Sequence, residues 1–328
     1  LFSANYPSYT MTEYTENYTA LASDSSNPLF DRAFNGLYPP GSTFKMITAI
    51  AGLEEGIIEP STIIRDLGRY TYWSTPQPMC WIYRQGGGTH GPVNVTRAIE
   101  VSCNYFMYDV GRRLGIDKLD EYAAMFGLGQ KTGVELYEES GVVASPAFTE
   151  SLGGTWYEGN VLSVAIGQES TQVTPIQLAN YVATLANGGN HYQAHLLKEV
   201  KSDDYSQVVY EYEPVLLNSI DIDQEDLDAV LQGMYDLSQT ASMARYFASL
   251  PVSVGCKTGT AEVGSGVDAT ATFTCFAPYD DPEIVIYLVA EHGSSGGNLA
   301  EVAAGILAQY FSTEDAQSAP TQENTLIR

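Results

Sequence analysis

Near residue 250 the hydrophobic period of this chain changes. Upstream, apolar residues recur at helical spacing. Downstream, the runs at 252–256, 272–276 and 283–290 read as strands joined by short turns, and 299–311 returns to a helical pattern. These strands, adjacent in sequence, are read as antiparallel neighbours. Helices in mid-sequence followed by such strands predict an α+β fold with the sheet on one side. Two lobes meeting at a cleft fit this order, and no repeat of fixed period competes with it.

Several helices announce their own ends. Residues 42–55 carry Phe44, Ile47, Ile50, Ala51 and Leu53 on a buried pattern that Gly56 stops. Asn94 caps a short helix through Ile99, and further helices are expected at 104–111 and at 117–126, the latter ended by Gly127. Thr174-Pro175 supplies a cap and a first-turn proline for 176–185, and helices at 224–237 and 241–250 follow. Residues 6–38 lack apolar periodicity and read as a segment following the surface. Residues 66–90 are irregular, but Tyr70, Tyr72, Trp73, Cys80 and Trp81 make them too aromatic for a linker.

The 328 residues, 44% of them hydrophobic, can bury a sizeable core. One domain is expected over 1–311, followed by a flexible polar tail at 312–328. Forty acidic residues against 15 basic ones give a formal charge of −25, which argues against a nucleic-acid groove or an anionic-lipid surface and for a well-solvated acidic exterior. There is no apolar stretch of about 18 residues and no signal-peptide order at the start, so the chain reads as soluble. Leu1-Phe2-Ser3-Ala4-Asn5 reads as part of a strand, so a fragment lacking an upstream strand is expected.

The chemistry lies in three short motifs. A serine hydroxyl needs an adjoining base, and Ser42-Thr43-Phe44-Lys45 places an amine three residues along the same helix face. That lysine serves as a base only if burial lowers its pKa, and Phe44, Met46 and Ile47 offer apolar surroundings. Alone, this spacing is weak. With Ser102-Cys103-Asn104 and Lys257-Thr258-Gly259 in order behind it, it forms the S-x-x-K, S-x-N, K-T-G series of penicillin-binding proteins and serine β-lactamases. Ser102 can relay a proton and Asn104 can hold a peptide carbonyl, while Lys257, Thr258 and Thr260 suit a substrate ending in a free carboxylate. Gly259 lets backbone approach closely. A second Lys-Thr-Gly, at Lys131-Thr132-Gly133, has only turn residues before it, so the later copy is chosen. A Ser-His-Asp reading has no support beyond the presence of four histidines.

The sequence resembles the transpeptidase domain of a class B penicillin-binding protein of the elongation type. Tyr38-Pro39-Pro40-Gly41 before Ser42 and Thr260-Ala261 after Lys257-Thr258-Gly259 carry the resemblance, as do Asn5-Tyr6-Pro7-Ser8-Tyr9, His90-Gly91, Gly129 to Gly133, Ile166-Gly167-Gln168 and Thr174-Pro175. It implies a five-stranded antiparallel sheet flanked by helices, with a mostly helical subdomain and the active site between them. It further implies a peptidoglycan D,D-transpeptidase. Ser42 attacks a D-Ala-D-Ala stem peptide while Lys45 takes its proton, D-alanine leaves through Ser102 and Lys257, and a second stem's amine resolves the ester. By the same resemblance the oxyanion hole is formed by the N–H groups of Ser42 and Thr260, Thr258 and Thr260 hold the carboxylate, and β-lactams acylate Ser42. The expected partners are stem peptides, β-lactams and a membrane glycosyltransferase of the shape, elongation, division or sporulation type. The expected location is the extracytoplasmic face of a bacterial cell membrane, and no cofactor is required for catalysis.

Asp66, Cys80, His90 and Cys103 put four zinc-compatible side chains in one irregular segment ending inside the second motif, and the resembled class can carry a structural zinc there. A Cys80–Cys103 disulfide and unpaired thiols are the alternatives, which spacing does not separate. Cys256 and Cys275 read as packing residues or a disulfide on neighbouring strands. The rival functions are a serine β-lactamase, for which Glu169 is the nearby candidate base, and a non-catalytic β-lactam sensor or scaffold.

Overall fold

The structure is a computed structural model that describes residues 2–262 and 268–312. Three short helices, α1 (Met11–Glu16), α2 (Tyr18–Ser23) and α3 (Arg32–Asn35), run along the segment expected to follow the surface. Thr10 and Asp31 cap α1 and α3, signals of local hydrogen bonding that an apolar-period reading does not register. A 3-10 turn at Gly41–Phe44 leads into α4 (Lys45–Glu54), which is buried from Lys45 to Leu53 and forms the axis of the main core. A helix apolar on all sides needs such complete enclosure.

Around α4 pack α6 (Val95–Glu100), α7 (Asn104–Leu114), α8 (Ile116–Met125) and, later in the chain, α12 (Gln224–Gln239). Gly52 allows the α4–α7 crossing, since a Cβ there would lie 2.5 Å from Val110 Cγ1. α7 runs one turn past its expected end because Gly111, instead of stopping it, packs against Ala165, 2.4 Å from where a Cβ would stand. The irregular stretch contains order of its own. β1 (Ile64–Asp66) pairs with β2 (Gly91–Val93), and α5 (Trp81–Gly86) lies between them in sequence. The helical lobe continues through α9 (Pro146–Ser151), α10 (Asn160–Val164) and α11 (Pro175–Ala186). Two small pairs follow, β3 (Asn190–Tyr192) with β6 (Leu216–Ser219) and β4 (Glu199–Lys201) with β5 (Val208–Glu211).

After α12, α13 (Ala241–Phe247) leads to the main sheet, β7 (Gly255–Ala261), β8 (Thr270–Ala277) and β9 (Ile284–Ala290), antiparallel in the order β7-β8-β9. α14 (Ala300–Ser312) closes the described chain, and the expected tail lies outside the described residues. The period-2 alternation divides the sheet cleanly. Phe273, Cys275, Cys256 and Ile286 face α13 and α14 in a second core, whereas Lys257, Thr272, Thr274 and Tyr287 share the opposite face. One expectation changes here. β7 begins at Gly255 rather than 252, so Lys257 to Thr260 lie within the strand; pairing with β8 outweighs the poor strand preference of glycine and lysine. Among the described residues the sheet has three strands, and β9 pairs there with β8 alone.

Candidate active site

Ser42 is set in the 3-10 turn by contacts from three directions. Gly41, at φ +56°, faces the Thr260 backbone, 3.2 Å from its carbonyl oxygen at the position a Cβ would take. Gly41 N–H donates to Gly167 O at 2.8 Å, and a Cβ on Gly167 (φ +71°) would sit 2.2 Å from Gly41 O. Behind the turn, Thr43 Oγ1 donates to Pro40 O (2.8 Å) and meets Tyr287 OH (2.7 Å), Thr272 Oγ1 donates to Pro40 O (3.2 Å), and Tyr181 OH donates to Thr43 O. The Ser42 amide lies in the first turn of a helix, where N–H groups have no intrahelical acceptor.

Lys45 is fully buried, which excludes a solvated lysine beside a simple cap. Its ammonium donates to Ser102 O (2.8 Å), Ser102 Oγ (3.1 Å) and Asn104 Oδ1 (2.6 Å). Lys257 Nζ reaches the same hydroxyl, Ser102 Oγ, at 3.0 Å, and also Thr258 O at 3.0 Å. Two buried amines thus converge on one serine, with no carboxylate bonded to either among the described residues. Burial lowers the pKa of Lys45 from 10.5 to about 8, against the opposing pull of Cys103 and Cys80. Burial and then the neighbouring Lys45 charge push Lys257 well below its ordinary value. A neutral amine near pH 8 is a competent base. Ser102 itself holds φ +54°, an uncommon conformation for a side chain-bearing residue, at the junction of α6 and α7.

The structure brings Ser42, Lys45, Ser102, Asn104 and Lys257 to one place but does not join Ser42 Oγ to Lys45 by a hydrogen bond among the described residues. Such contacts are commonly loose before substrate binds. Gly259 backs onto the nucleophile turn, where a Cβ would lie 3.0 Å from Pro40 O and 2.1 Å from Thr272 Oγ1. Thr258 is half-buried, and Thr260 is exposed with Oγ1 accepting from Gly296 N at 3.4 Å. The earlier Lys-Thr-Gly serves elsewhere: Glu138 accepts from Thr132 N, Thr132 Oγ1 and Gly133 N, and Lys131 lies over the Tyr137 ring. Glu169 is exposed and accepts from Asn160.

Asp66, Cys80, His90 and Cys103 also come together, with one ligand atom from each lying within 4.8 Å of all the others. β1 and β2 bring Asp66 beside His90, with His90 Nδ1 2.8 Å from Asp66 Oδ2 and 3.4 Å from Cys80 Sγ. Cys103 caps α7, its Sγ accepting from Phe106 N, and lies 3.7 Å from Asp66 Oδ2. All four cysteines are free thiols. The hydrogen bond between the two thiols pulls Cys80 well down and pushes Cys103 up. Burial raises the Asp66 carboxyl, but hydrogen bonds from His90, Gly68 and Cys80 outweigh it and leave it below its ordinary value. Two sulfurs, one imidazole and one carboxylate, close together, fit a tetrahedral zinc ion, with Nδ1 the ring nitrogen that lies beside Asp66 Oδ2 and Cys80 Sγ.

The family model for the penicillin binding protein transpeptidase domain matches residues 1–309. The chain belongs to this family. The peptidoglycan D,D-transpeptidase MrdA of Escherichia coli K12 is 33% identical over 305 residues, covering 86% of this chain and 47% of its own length. The chain therefore spans about half the length of the curated relatives it matches. Among solved structures, Pseudomonas aeruginosa PBP2 in complex with WCK 5153 is similar at TM-score 0.81 and 29% identity, covering 98% of this chain and 72% of that one. Helicobacter pylori PBP2 in complex with MreC is similar at TM-score 0.80 and 26% identity, covering 96% and 58%.

Reading this transpeptidase domain from sequence left out the residues that fasten the nucleophile turn: Tyr181, Tyr287, Thr272 and Thr43. The alternation Thr270, Thr272, Thr274 was the available signal, since three hydroxyls on one face of a central strand need partners. Nothing local marks the two tyrosines, which meet Thr43 from separate elements.

Proposed function

We propose that the chain is the acyl-transfer unit of an elongation-type peptidoglycan D,D-transpeptidase, as the relatives named MrdA are. The observation that carries this is the convergence of Lys45 and Lys257 on Ser102 Oγ beside the turn bearing Ser42. Ser42 Oγ attacks the carbonyl of the penultimate D-alanine, and its proton passes to neutral Lys45. The oxyanion is held by the Ser42 and Thr260 N–H groups, a kind of donor whose loss costs about 10²–10³ in rate. As the C–N bond breaks, a proton reaches the leaving amine through Ser102, supplied from Lys257, and D-alanine departs. The amine of a second stem attacks the ester and gives up its surplus proton through Ser102 to Lys257, while Lys45 returns its proton to Ser42 Oγ as the ester C–O bond breaks, which frees the serine. Asn104 holds the peptide backbone, and Thr258 and Thr260 hold the terminal carboxylate. A β-lactam enters as a mimic of the same substrate.

Asp66, Cys80, His90 and Cys103 hold a structural zinc in this reading. With four protein ligands it has no open position, and it ties the 66–90 segment to the helix cap next to Ser102. Residues 1–311 act as one domain on the extracytoplasmic face of a bacterial membrane. The longer protein works beside a membrane glycosyltransferase; a solved structure 28% identical to this chain, described as coordinating polymerization and crosslinking in a peptidoglycan synthase complex, supports an assembly of this kind. Among the described residues no helix is long and apolar enough to cross a membrane. Upstream strands complete a five-stranded sheet along the open edge of β9.

The test is intact mass during incubation with a penicillin, alongside Ser42→Ala. One stable penicilloyl group per chain, absent from the variant, is expected. Rapid loss of the adduct would indicate a β-lactamase, and no adduct would remove the catalytic reading.

A further inference from the structure

We propose that an aromatic pocket at the far end of α7 binds the glycan strand from which the stem peptide hangs. The proposal rests on the transpeptidase reading only for the identity of the polymer. The pocket has a volume of about 400 Å³ and is lined by Tyr72, Trp73 and Trp156 together with Val161, Arg112 and Glu158. That volume lies within the range of small-ligand sites. Tyr72 is 61% exposed, a large aromatic surface that the core does not use.

The polar groups are arranged for a neutral ring ligand. The indole N–H groups of Trp73 and Trp156 donate to no described residue. The Arg112 guanidinium carbon lies 3.8 Å from the Tyr72 ring centre, and the group is oriented by Tyr70 OH (2.7 Å from Nε) and Asp109 (3.4 Å from Nη2), which leaves Nη1 without a partner among the described residues. A hexosamine ring offers an apolar C–H face for the aromatic walls, and its hydroxyl and acetamido groups match the indole and guanidinium donors and the Glu158 acceptor. A cationic ligand would meet the guanidinium already lying on the tyrosine. A polyanion would meet Asp109, Glu158 and a chain of net charge −25.

The position fits the same polymer. Asn104 begins α7 and Arg112 lies eight residues along it, a separation of roughly 12 Å. Four residues of extended stem peptide reach roughly 13–14 Å, so a stem entering the cleft at Asn104 returns to its sugar near the pocket. A run of contacts leads from the segment after Glu158 toward the nucleophile turn: Pro76 packs on Gly159, Asn160 donates to Glu169 at 2.9 Å, and Glu169 follows the Gly167 turn that backs Gly41.

The chain is titrated with the N-acetylglucosamine tetramer while tryptophan fluorescence is followed, and penicillin acylation of Ser42 is measured in parallel. Saturable binding is expected, weakened on the order of tenfold by Trp156→Ala and by Tyr72→Ala, with acylation unchanged as proof of an intact fold. A disaccharide-pentapeptide is also expected to protect Ser42 from penicillin better than the free pentapeptide, an advantage that Trp156→Ala removes. No saturation at millimolar tetramer by a chain that still acylates overturns the proposal, as does equal protection by the two peptides. Failure of acylation alone would instead count against the catalytic reading, because tetramer binding does not need Ser42.

Discussion

At the residue scale the decisive fact is burial of two amines around one hydroxyl. Lys45 and Lys257 are both inaccessible and both bond Ser102 Oγ. Desolvation disfavours each charge, and the proximity of the two disfavours carrying both. Because the Lys45 pKa falls from 10.5 to about 8, the neutral amine accumulates as pH rises through that value. The acylation rate of Ser42 should therefore climb along a limb near pH 8, and Lys45→Met should lower it by about 10²–10⁴ and flatten the limb. Stopped-flow measurements with a chromogenic cephalosporin between pH 6 and 9 decide this; an unchanged limb in the variant would assign the base elsewhere. The Ser-x-x-Lys spacing was legible in the chain. The side to which Lys45 turns, toward Ser102 and Asn104, was not, because those partners lie 57 and 59 positions away.

At the element scale, short pieces are held by long-range ties. β1, β2 and α5 are too short to be stable alone, since isolated hairpins and single turns are marginal in water. They are fixed by the Asp66, Cys80, His90 and Cys103 cluster and by Trp81, whose indole donates to Val101 O at 3.1 Å. Removing the proposed zinc should therefore loosen this segment first. Chelation is expected to release about one zinc per chain and to lower the melting temperature, with Cys80→Ser already low and insensitive to chelator. Metal analysis by mass spectrometry together with thermal melts checks both; a metal-free chain with an unchanged melt would sink the zinc reading. Caps and turn residues announced the long helices, whereas α5, α9 and α10 carried too few residues for a period to register.

At the scale of the whole molecule, the helical lobe and the sheet meet at a seam of glycines. Gly167 from the helical side presses on Gly41, and Gly41 and Gly259 press the nucleophile turn onto the sheet. Gly167→Ala puts a methyl group 2.2 Å from Gly41 O and should displace Ser42. A misplacement of this size costs on the order of 10² in rate, so second-order acylation by a fluorescent penicillin should fall by about that much. Gly56→Ala, also at positive φ but facing open space, should affect stability alone. Equal acylation by the two variants would show that the seam does not position the nucleophile. The sequence by itself determined what is local: the capped helices, the strand runs, and the order and spacing of the three motifs, since each depends on neighbours a few residues apart. Only the tertiary structure decided that Lys45 and Lys257 both reach Ser102 Oγ, that Lys45 is desolvated, that one ligand atom from each of Asp66, Cys80, His90 and Cys103 comes within 4.8 Å of all the others, and that tyrosines from α11 and β9 brace the turn. Burial and close approach arise from segments distant in the chain, and local pattern does not encode which of those segments will meet.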